Sequence, residues 1–255
     1  MNQTKVLLSA VIITYNEEAC IERCIRSVKE VADEILVLDS FSTDRTSEIC
    51  RALGVRFEQH VFDGYIQQKN RAWDMASGIY VLSLDADETL SEALLLSIEE
   101  EKNKGFSSDA YTMNRMTAIG EKWIRHGSWY PDRKLRLARK ESASWGGVNP
   151  HDKLILKKHV KVSHLSGDIL HYSFSSFQAF QHQGEKFSSI AAKAMHENGK
   201  KSSFNKIYIS PVIAFLKSYL FKQGFLDGKE GYLIAQEIAR QTKMKYVKLR
   251  KLRGS

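Results

Sequence analysis

Cysteine is scarce in this sequence, with three residues among 255: Cys20, Cys24 and Cys50. An odd number of cysteines, all near the N-terminus, excludes the paired framework of a disulfide-rich secreted domain and favours a reducing cytoplasm. Cys20 and Cys24 lie on one apparent helix, but the sequence has no second pair of Cys or His nearby. We therefore expect buried small side chains here rather than a metal site.

Long apolar runs are absent as well. A membrane-spanning helix requires about 20 apolar residues, and no segment supplies them. The apolar run over residues 6–13 follows Lys5, but it is too short to span a bilayer and lacks the cleavage site of a signal peptide. The sequence therefore predicts a cytoplasmic protein.

Glycine does not occur before Gly54. A dinucleotide-binding fold needs a glycine-rich turn after its first strand to hold the pyrophosphate, and here that turn reads TYNEE from Thr14 to Glu18. This disfavours NAD enzymes of that type, and the lack of a glycine-rich phosphate loop disfavours nucleotidyltransferases. Thr14 and Glu17 could hydrogen-bond a base or ribose, while Asn16 could simply cap the following helix.

The composition is that of an ordinary globular protein, 43% hydrophobic and 27% charged. It fits one large α/β domain, or a domain with a substantial appendage. The net charge of +8 suits an anionic partner such as a nucleotide, a nucleic acid or an acidic membrane face, or else a solvated basic surface. No recognised nucleic-acid-binding module accompanies the basic residues, so we expect no nucleic acid partner.

Apolar periodicity alternates between the strand and helix repeats in the first 115 residues. The predicted strands are 6–13, 34–39, 55–62, 79–84 and 110–115, and the predicted helices are 17–32, 44–53, 67–76 and 89–105. Thr89 and Glu92 resemble a capping box for the last helix. Strands separated by helices imply a mostly parallel, Rossmann-like α/β sheet with flanking helices, whose ligands bind beyond the carboxyl ends of the strands.

Acidic residues follow two of these strands. Asp39 ends the second strand and could accept the N–H of a uracil ring, whereas Asp44 could simply cap its helix. Asp85-Ala86-Asp87 follows the fourth strand, and two carboxylates this close repel unless a cation joins them. Oxygen ligands at this density suit Mg²⁺ or Mn²⁺, which bridge phosphate oxygens and neutralise a departing diphosphate.

Four motifs, TYNEE, LDSFSTDRT, QKNRA and LSLDADE, occur in this order between residues 14 and 88 and resemble those of glycosyltransferase family 2. The resemblance implies the GT-A fold and transfer of a sugar from a nucleotide diphosphate. It implies that the nucleotide-sugar site is lined by Thr14, Tyr15, Glu17, Asp39, Lys69, Asn70 and Asp85. It assigns Asp87 to the metal, Mn²⁺ or Mg²⁺, and Asp85 to the ribose or the metal.

The second half is similar to the bacterial enzymes that add β-glucose to the heptose of the lipopolysaccharide inner core. The matching pieces are 129–137, 148–154 and the stretch after Tyr219, although those enzymes typically show V-H-E where this sequence reads V-N-P-H-D from Val148 to Asp152. The resemblance implies a UDP-sugar donor and a membrane glycolipid acceptor. A soluble or protein acceptor, or an inactive sugar-nucleotide-binding protein, is the alternative.

An inverting transfer requires one base to take the proton of the attacking hydroxyl, and no nucleophile, because displacement occurs in one step. Asp152 is the candidate base, although it could simply be an acidic residue in a surface turn. His151 could position the acceptor or the nucleotide. His171 could complete the metal site, since imidazole is compatible with Mn²⁺. Arg133 and Arg136 could grip a diphosphate or an anionic acceptor, or could form an arginine-rich strand face.

The predicted organisation is a catalytic domain over 1–175, with a nucleotide-binding half (1–115) and an acceptor half (116–175), then a helical, basic extension over 176–255. The weak periodicity from 120 to 175 predicts irregular structure. Ser210-Pro211 predicts the start of a helix.

The apolar segment 207–221 contains one lysine and is typical of an amphipathic helix in a bilayer interface. The basic residues 243–253 would add attraction to an anionic leaflet. Membrane contact predicts a protein peripheral on the inner face of the bacterial inner membrane. The alternative is a helical hairpin packed on the catalytic domain, with a disordered basic end.

Overall fold

The computed structural model describes residues 6–148 and 151–252. The chain divides into two compact units, the first formed by residues 1–115 and 133–171 and the second by residues 116–132 and 172–255. The elements, in chain order, are β1 (Leu8–Thr14), α1 (Ile21–Val28), β2 (Glu34–Asp39), α2 (Thr46–Ala52), β3 (Arg56–Gln59), α3 (Tyr65–Met75), β4 (Tyr80–Asp85), β5 (Glu88–Leu90), α4 (Glu92–Asn103), β6 (Ala110–Ile119), β7 (Lys122–Trp123), β8 (Asp132–Arg139), β9 (Ala143–Val148), β10 (His151–Leu156), β11 (Val162–Phe174), α5 (Phe177–Glu197), α6 (Phe204–Leu216) and α7 (Gly228–Lys251).

The first unit is built on a sheet with the strand order β3-β2-β1-β4-β8-β6-β11-β5. β1 pairs in parallel with β2 and β4, and β2 pairs in parallel with β3, as strands joined by helices require. β8 joins β4 antiparallel, and β5 joins β11 antiparallel. The predicted α/β sheet with flanking helices is confirmed, and β1 to β4 form its parallel part.

Alternate side chains of the parallel strands enter two separate apolar clusters. Ala10 and Ile12 belong to one cluster and Val11 to the other, which explains why these strands read as unbroken apolar runs. Helices α1, α2 and α4 complete the first cluster, while α3 and the β9–β10 pair complete the second. Because both faces of the sheet are covered, the carboxyl ends of the strands are left for a ligand.

Three local predictions are wrong. Thr89 lies in β5, and Ser91 caps α4 by accepting a hydrogen bond from the Leu94 N–H. The stretch from 120 to 175 is rich in strand, which its sequence does not indicate because exposed and buried residues alternate only weakly along β8 and β11. Pro211 lies inside α6, which begins after the cap Ser203, so Ser210-Pro211 does not start a helix.

The second unit is largely helical, as predicted for the chain after residue 175. α6 and α7 pack against each other, and α5 also packs on α7. A π-helical turn, Lys217–Phe221, extends α6, and a short 3-10 turn, Gly224–Asp227, leads into α7. None of the helices in the described ranges combines the length and apolar character needed to cross a bilayer.

Candidate active site

The predicted acidic motif lies between β4 and β5, at the carboxyl edge of the parallel strands. The Asp85 carboxylate lies 2.9 Å from Lys69 Nζ and 3.0 Å from Arg136 Nη2. Desolvation disfavours its charged form, but the two cations outweigh that cost and hold the pKa of Asp85 well below its usual range. Both oxygens of Asp85 therefore already have cationic partners, so this residue is an ionised anchor of the site.

Lys69 joins Asp85 to the candidate base. Its Nζ lies 2.8 Å from Asp152 Oδ2, and only 5% of the Lys69 side chain is exposed. The ammonium also lies 4.5 Å from the centroid of the Trp145 ring, within the range of a cation–π contact. Helix α3 supplies the lysine, and the β9–β10 pair supplies Asp152 and Trp145. Strand β4, helix α3 and the β9–β10 pair, which are distant in sequence, thus contribute to one ion-paired cluster.

Asn70 fixes β9 beside this cluster. Its Nδ2 donates to the Trp145 carbonyl over 2.9 Å, and its Oδ1 accepts the Trp145 N–H over 2.8 Å. These paired hydrogen bonds tie the backbone of β9 to α3. Both ends of the Asn70 amide therefore hold the strand that carries Trp145, beside the site where the family resemblance implies a nucleotide-sugar.

Glu88 is a buried residue that the sequence reasoning did not single out. Its Oε2 accepts the Asp85 backbone N–H over 3.0 Å, and its Oε1 lies 3.0 Å from Arg136 Nη2 and 3.5 Å from Arg115 Nη1. Glu88 is fully buried and Arg136 nearly so. A fully buried carboxylate is rare unless it is paired. Glu88 therefore orients both the acidic loop and the arginine that faces it, and its place directly after the two aspartates was the available signal.

Two donors of the cluster are buried without an acceptor in the described part of the chain. These are Arg136 Nη1 and Trp145 Nε1. Buried donors are almost always paired in native proteins, so each lacks a partner of the kind that a phosphate oxygen or a sugar hydroxyl provides. Arg136, a candidate from the sequence, thus has a free donor at the acidic loop, and the indole N–H of Trp145 is a second free donor.

Asp87 and His171 meet through the pairing of β5 with β11. Glu88 lies opposite His171 in that ladder, which brings the imidazole beside the residue that precedes β5. His171 Nε2 lies 3.1 Å from Asp87 Oδ2. No cluster of three or more His, Cys, Asp or Glu side chains suited to a metal occurs among the residues described. One carboxylate and one imidazole nevertheless fit a hard cation such as Mn²⁺ or Mg²⁺, which commonly takes its other ligands from phosphates and water.

Thr14 and Asp39 lie side by side where β1 and β2 end. Asp39 is fully buried, and its carboxylate accepts hydrogen bonds from Gln59 Nε2, the Ser42 N–H and the Ser42 hydroxyl. Thr14 Oγ1 is buried and, in the ranges described, has no hydrogen-bond partner. These three donors leave one of the roughly four acceptor positions of the Asp39 carboxylate for a base N–H, and Thr14 offers an unused hydroxyl.

The loops that follow β1 and β2 are joined by hydrogen bonds. The Asn16 N–H donates to Ser42 Oγ, and Asn16 Oδ1 accepts the Thr43 N–H, each over 2.8 Å. Asn16 and Phe41 have φ values of 55° and 61°, a left-handed conformation that a bulky residue rarely adopts. The rings of Tyr15 and Phe41 are both exposed. Strained loops carrying exposed rings at strand ends are typical of ligand sites, and Phe41 is a further residue that the sequence reasoning missed.

Three predicted site residues, Glu17, Arg133 and His151, lie outside the ion-paired cluster or beyond the described side chains. Burial, followed by the negative charge of Asp87, raises the pKa of Glu17, so Glu17 lies within the field of the acidic loop. Arg133 is exposed and lies three residues from Arg136 on β8, which places the two side chains on opposite faces of the strand. Arg133 therefore does not join Arg136 in the cluster. The side chain of His151 lies outside the described residues.

Comparisons with known proteins identify the family of the chain. The family model described as Glycosyl transferase family 2 matches residues 9–180. An uncharacterised glycosyltransferase of Rickettsia typhi is 32% identical over 96% of this chain and 87% of its own length. The lipopolysaccharide core biosynthesis glycosyltransferase LpsC of Rhizobium meliloti is 28% identical over 91% of this chain and 87% of its own.

Two solved structures match the chain at lower similarity. TarS of S. aureus, residues 1–349 in complex with UDP, has a TM-score of 0.48 at 15% identity and covers 98% of this chain and 92% of its own. Glucosyl-3-phosphoglycerate synthase of Mycobacterium tuberculosis, crystallised with Mn²⁺, UDP-glucose and phosphoglyceric acid, has a TM-score of 0.37 at 26% identity and covers 44% of each chain.

The fold and the strand-end cluster define an α/β enzyme of the GT-A type. The chain belongs to glycosyltransferase family 2, because the family model spans most of its length and relatives above 30% identity cover nearly all of it.

Glu88→Gln should destabilise the first unit. The substitution keeps the shape of Glu88 but removes the charge that Arg136 and Arg115 face, and loss of one partner of a buried ion pair costs roughly 3 kcal/mol. The melting temperature should fall by roughly 6–12 °C for a chain of this size. Scanning calorimetry checks this against Glu99→Gln, an exposed position on α4. Equal melting temperatures for the two variants would contradict the role of Glu88 as the buried ionic partner of Arg136 and Arg115.

Proposed function

We propose that this family 2 glycosyltransferase is an inverting enzyme that moves a hexose, glucose in the first instance, from a UDP-sugar to a hydroxyl of a lipopolysaccharide-core or related membrane glycolipid. The observation that carries the proposal is the cluster in which Lys69 bridges Asp85 and Asp152 beside Asp87 and His171. The name of the relative LpsC, which refers to lipopolysaccharide core biosynthesis, supports the choice of acceptor.

The nucleotide would bind across the ends of β1 and β2. The unused hydroxyl of Thr14 and the carboxylate of Asp39 would bind the ribose and the uracil N–H, and the exposed rings of Tyr15 and Phe41 would stack on the base. Glu17 lies on the loop after β1, as Tyr15 does, and would accept a hydrogen bond from a ribose hydroxyl. Burial of uracil against these groups would fix where the diphosphate reaches the acidic loop.

The diphosphate would lie over Asp87, His171 and the cationic cluster. Asp87 and His171 would hold a Mn²⁺ or Mg²⁺ ion, which neutralises the charge that develops on the leaving diphosphate. The free donor of Arg136 would bind a phosphate oxygen. Lys69 would also approach this charge, because its ammonium already lies between Asp85 and Asp152.

Asp152 would act on the acceptor. The attacking hydroxyl oxygen forms a bond to the anomeric carbon while the bond from that carbon to the diphosphate oxygen breaks, and the electron pair leaves with UDP. The hydroxyl proton passes to the Asp152 carboxylate, which therefore must lie within hydrogen-bond reach of the acceptor. The Trp145 indole N–H would orient a sugar hydroxyl beside it. Backside attack in one step gives a β product from an α-linked donor.

The proposed location is the cytoplasm, at the inner face of the bacterial inner membrane, where a nucleotide sugar and a glycolipid can meet. Support comes from the basic net charge of +8 and from the apolar surface of α6 described below. The domain roles also remain proposals: a nucleotide-binding half over 1–115, an acceptor half over 116–175 and a membrane-associating extension over 176–255.

A panel of nucleotide sugars tests the function directly. In the presence of Mn²⁺, UDP-glucose should raise the melting temperature more than GDP- or dTDP-sugars do, because only a bound ligand stabilises the native state. The product formed with a deacylated core acceptor should show inverted anomeric configuration by NMR. Stabilisation by no nucleotide sugar would contradict the donor assignment, and retained configuration would exclude a single displacement.

Asp39→Asn should weaken UDP binding. The amide keeps the shape of the side chain but presents one fewer acceptor, and loss of a charged hydrogen bond costs about 1.5–3 kcal/mol, or roughly 10–150-fold in Kd. Titration calorimetry with UDP measures this. The control is Asp74→Asn, an exposed position on α3 that should bind UDP like the wild type. If both variants bind alike, Asp39 does not contact the base.

A further inference from the structure

Helix α6 and the turn that follows it expose an apolar stripe. Phe204, Tyr208, Val212, Leu216 and Leu220 recur every fourth residue, and all are more than one-third exposed. Val212 and its neighbour Ile213 are 56% and 58% exposed, and Phe221 at the end of the π-helical turn is 82% exposed. Residues at this spacing lie on one side of a helix, so the exposed side chains form one continuous strip.

The opposite side of α6 is also apolar. Ile207 and Pro211 are buried there, and α6 packs on α7. Apart from Asn205, Lys206 and Ser210, the residues of α6 are apolar. A helix this apolar is normally enclosed, but within its unit α6 buries only the side that carries Ile207 and Pro211. A contiguous exposed apolar patch of this kind marks a surface that contacts a partner or a membrane.

The charges around the stripe identify the partner. From residue 198 to residue 226 the sequence contains five lysines and no Asp or Glu. Lys217 and Lys222 lie at the two ends of the π-helical turn and are exposed. Aromatic and aliphatic side chains flanked by lysines match an anionic lipid surface, where the rings enter the interface and the ammonium groups meet the headgroups. In a symmetric contact with a second copy the same patch meets itself, so two lysine-bearing surfaces without a carboxylate between residues 198 and 226 would face each other.

The basic C-terminal residues are less available for this purpose than the sequence indicates. Through Lys251 the chain is the helix α7, and Lys248 Nζ donates to the Glu185 carbonyl and to the hydroxyls of Ser188 and Ser189 on α5. This lysine therefore stabilises the helical unit. The apolar stripe is free of such contacts at Val212, Ile213 and Phe221, which are more than half exposed.

We propose that the outward face of α6 and the turn after it, from Phe204 to Leu226, form the docking surface for an anionic lipid bilayer. The inference rests on the proposed function for its biological sense, since a glycolipid acceptor requires a membrane. It deepens that function by naming the element that enters the interface. The flanking lysines supply the attraction to the headgroups, and the stripe supplies the apolar burial.

Vesicle flotation of the full chain tests this surface. The wild type should float with phosphatidylcholine vesicles that contain phosphatidylglycerol, and less with phosphatidylcholine alone. Val212→Gln with Ile213→Gln should reduce the partition coefficient about tenfold or more, because two apolar side chains no longer leave water. The matched control is Val61→Gln with Leu96→Gln, two similarly exposed apolar positions of the first unit, which should float like the wild type. Lys217→Gln with Lys222→Gln should lose only the part of binding that high salt also removes.

Other outcomes would overturn the proposal. Unchanged flotation of the Val212/Ile213 variant, with loss of flotation for Arg250→Gln with Lys251→Gln, would assign docking to the basic end. A wild type that does not float, but forms a dimer by ultracentrifugation that the Val212/Ile213 variant lacks, would make the stripe a self-association surface. UDP calorimetry on the same proteins separates the two hypotheses: flotation without nucleotide binding contradicts the proposed function alone, and nucleotide binding without flotation contradicts the docking surface alone.

Discussion

Asp152→Asn is expected to reduce sugar transfer by about 10²–10⁴-fold, the contribution of a positioned general base. The amide has nearly the same shape but cannot take the proton of the acceptor hydroxyl. Because the base touches the acceptor rather than the diphosphate, UDP affinity measured with Mn²⁺ should stay within about threefold of the wild type. Transfer rates under saturating donor, beside UDP calorimetry, make the measurement.

The contacts of Asp152 require a control on folding. Lys69 keeps its pairing with Asp85 in the variant, but it loses the carboxylate that lies 2.8 Å away. Some loss of stability is therefore expected, and the melting temperature should be recorded for each variant. Asp74→Asn is the matched control, since it removes an exposed carboxylate on the helix that carries Lys69. Near-normal transfer by Asp152→Asn would assign the base elsewhere, with Asp132 and Glu141 as the next candidates.

Asp87→Ala is expected to lower turnover by roughly a thousandfold or more, which corresponds to the several kcal/mol that a bound cation supplies to a departing diphosphate. Asp87 is the carboxylate of the acidic loop whose partner in the structure is His171, whereas Asp85 is already paired with Lys69 and Arg136. Removal of Asp87 should therefore abolish cation binding more completely than any other single change.

A binding cycle isolates the role of the cation. UDP affinity is measured for the wild type and for Asp87→Ala, each with Mn²⁺ and with EDTA. The variant should bind UDP more weakly than the wild type in Mn²⁺, and the two proteins should bind alike in EDTA, because the side chain acts through the ion. A wild type that remains fully active in EDTA would exclude the metal assignment. An equal loss of affinity in both media would mean that Asp87 contacts the nucleotide directly.

The successes and failures of the sequence predictions have a common cause. β1, β2 and β4 were recognisable because strands buried on both faces are unbroken apolar runs, and the helices between them show one apolar face. The strands between 120 and 175 were missed because their side chains alternate only weakly and glycine interrupts β9. Ser210-Pro211 predicts a helix start, whereas Pro211 is buried inside α6, a position that no local pattern indicates.

The sequence indicates candidate site residues most directly where chemistry follows a strand end. Asp39 and Asp85 stand out because parallel strands present their carboxyl ends at one edge. Phe41, Glu88 and the indole N–H of Trp145 do not stand out, because a left-handed backbone, a buried ion pair and an unpaired donor are properties of the folded chain. The hydrogen bonds of the Asn70 amide to β9 are likewise a tertiary contact that its motif does not indicate.

The sequence by itself determined the family, the α/β sheet and the acidic strand ends, because each depends on residues that are neighbours along the chain. Only the tertiary structure decided which of those groups act together. Lys69 lies 83 positions from Asp152, and Asp87 lies 84 positions from His171. Pairings over such separations arise when α3 packs against β9 and when β5 pairs with β11, and the strength of an ionic contact depends on distance and burial rather than on order in the chain.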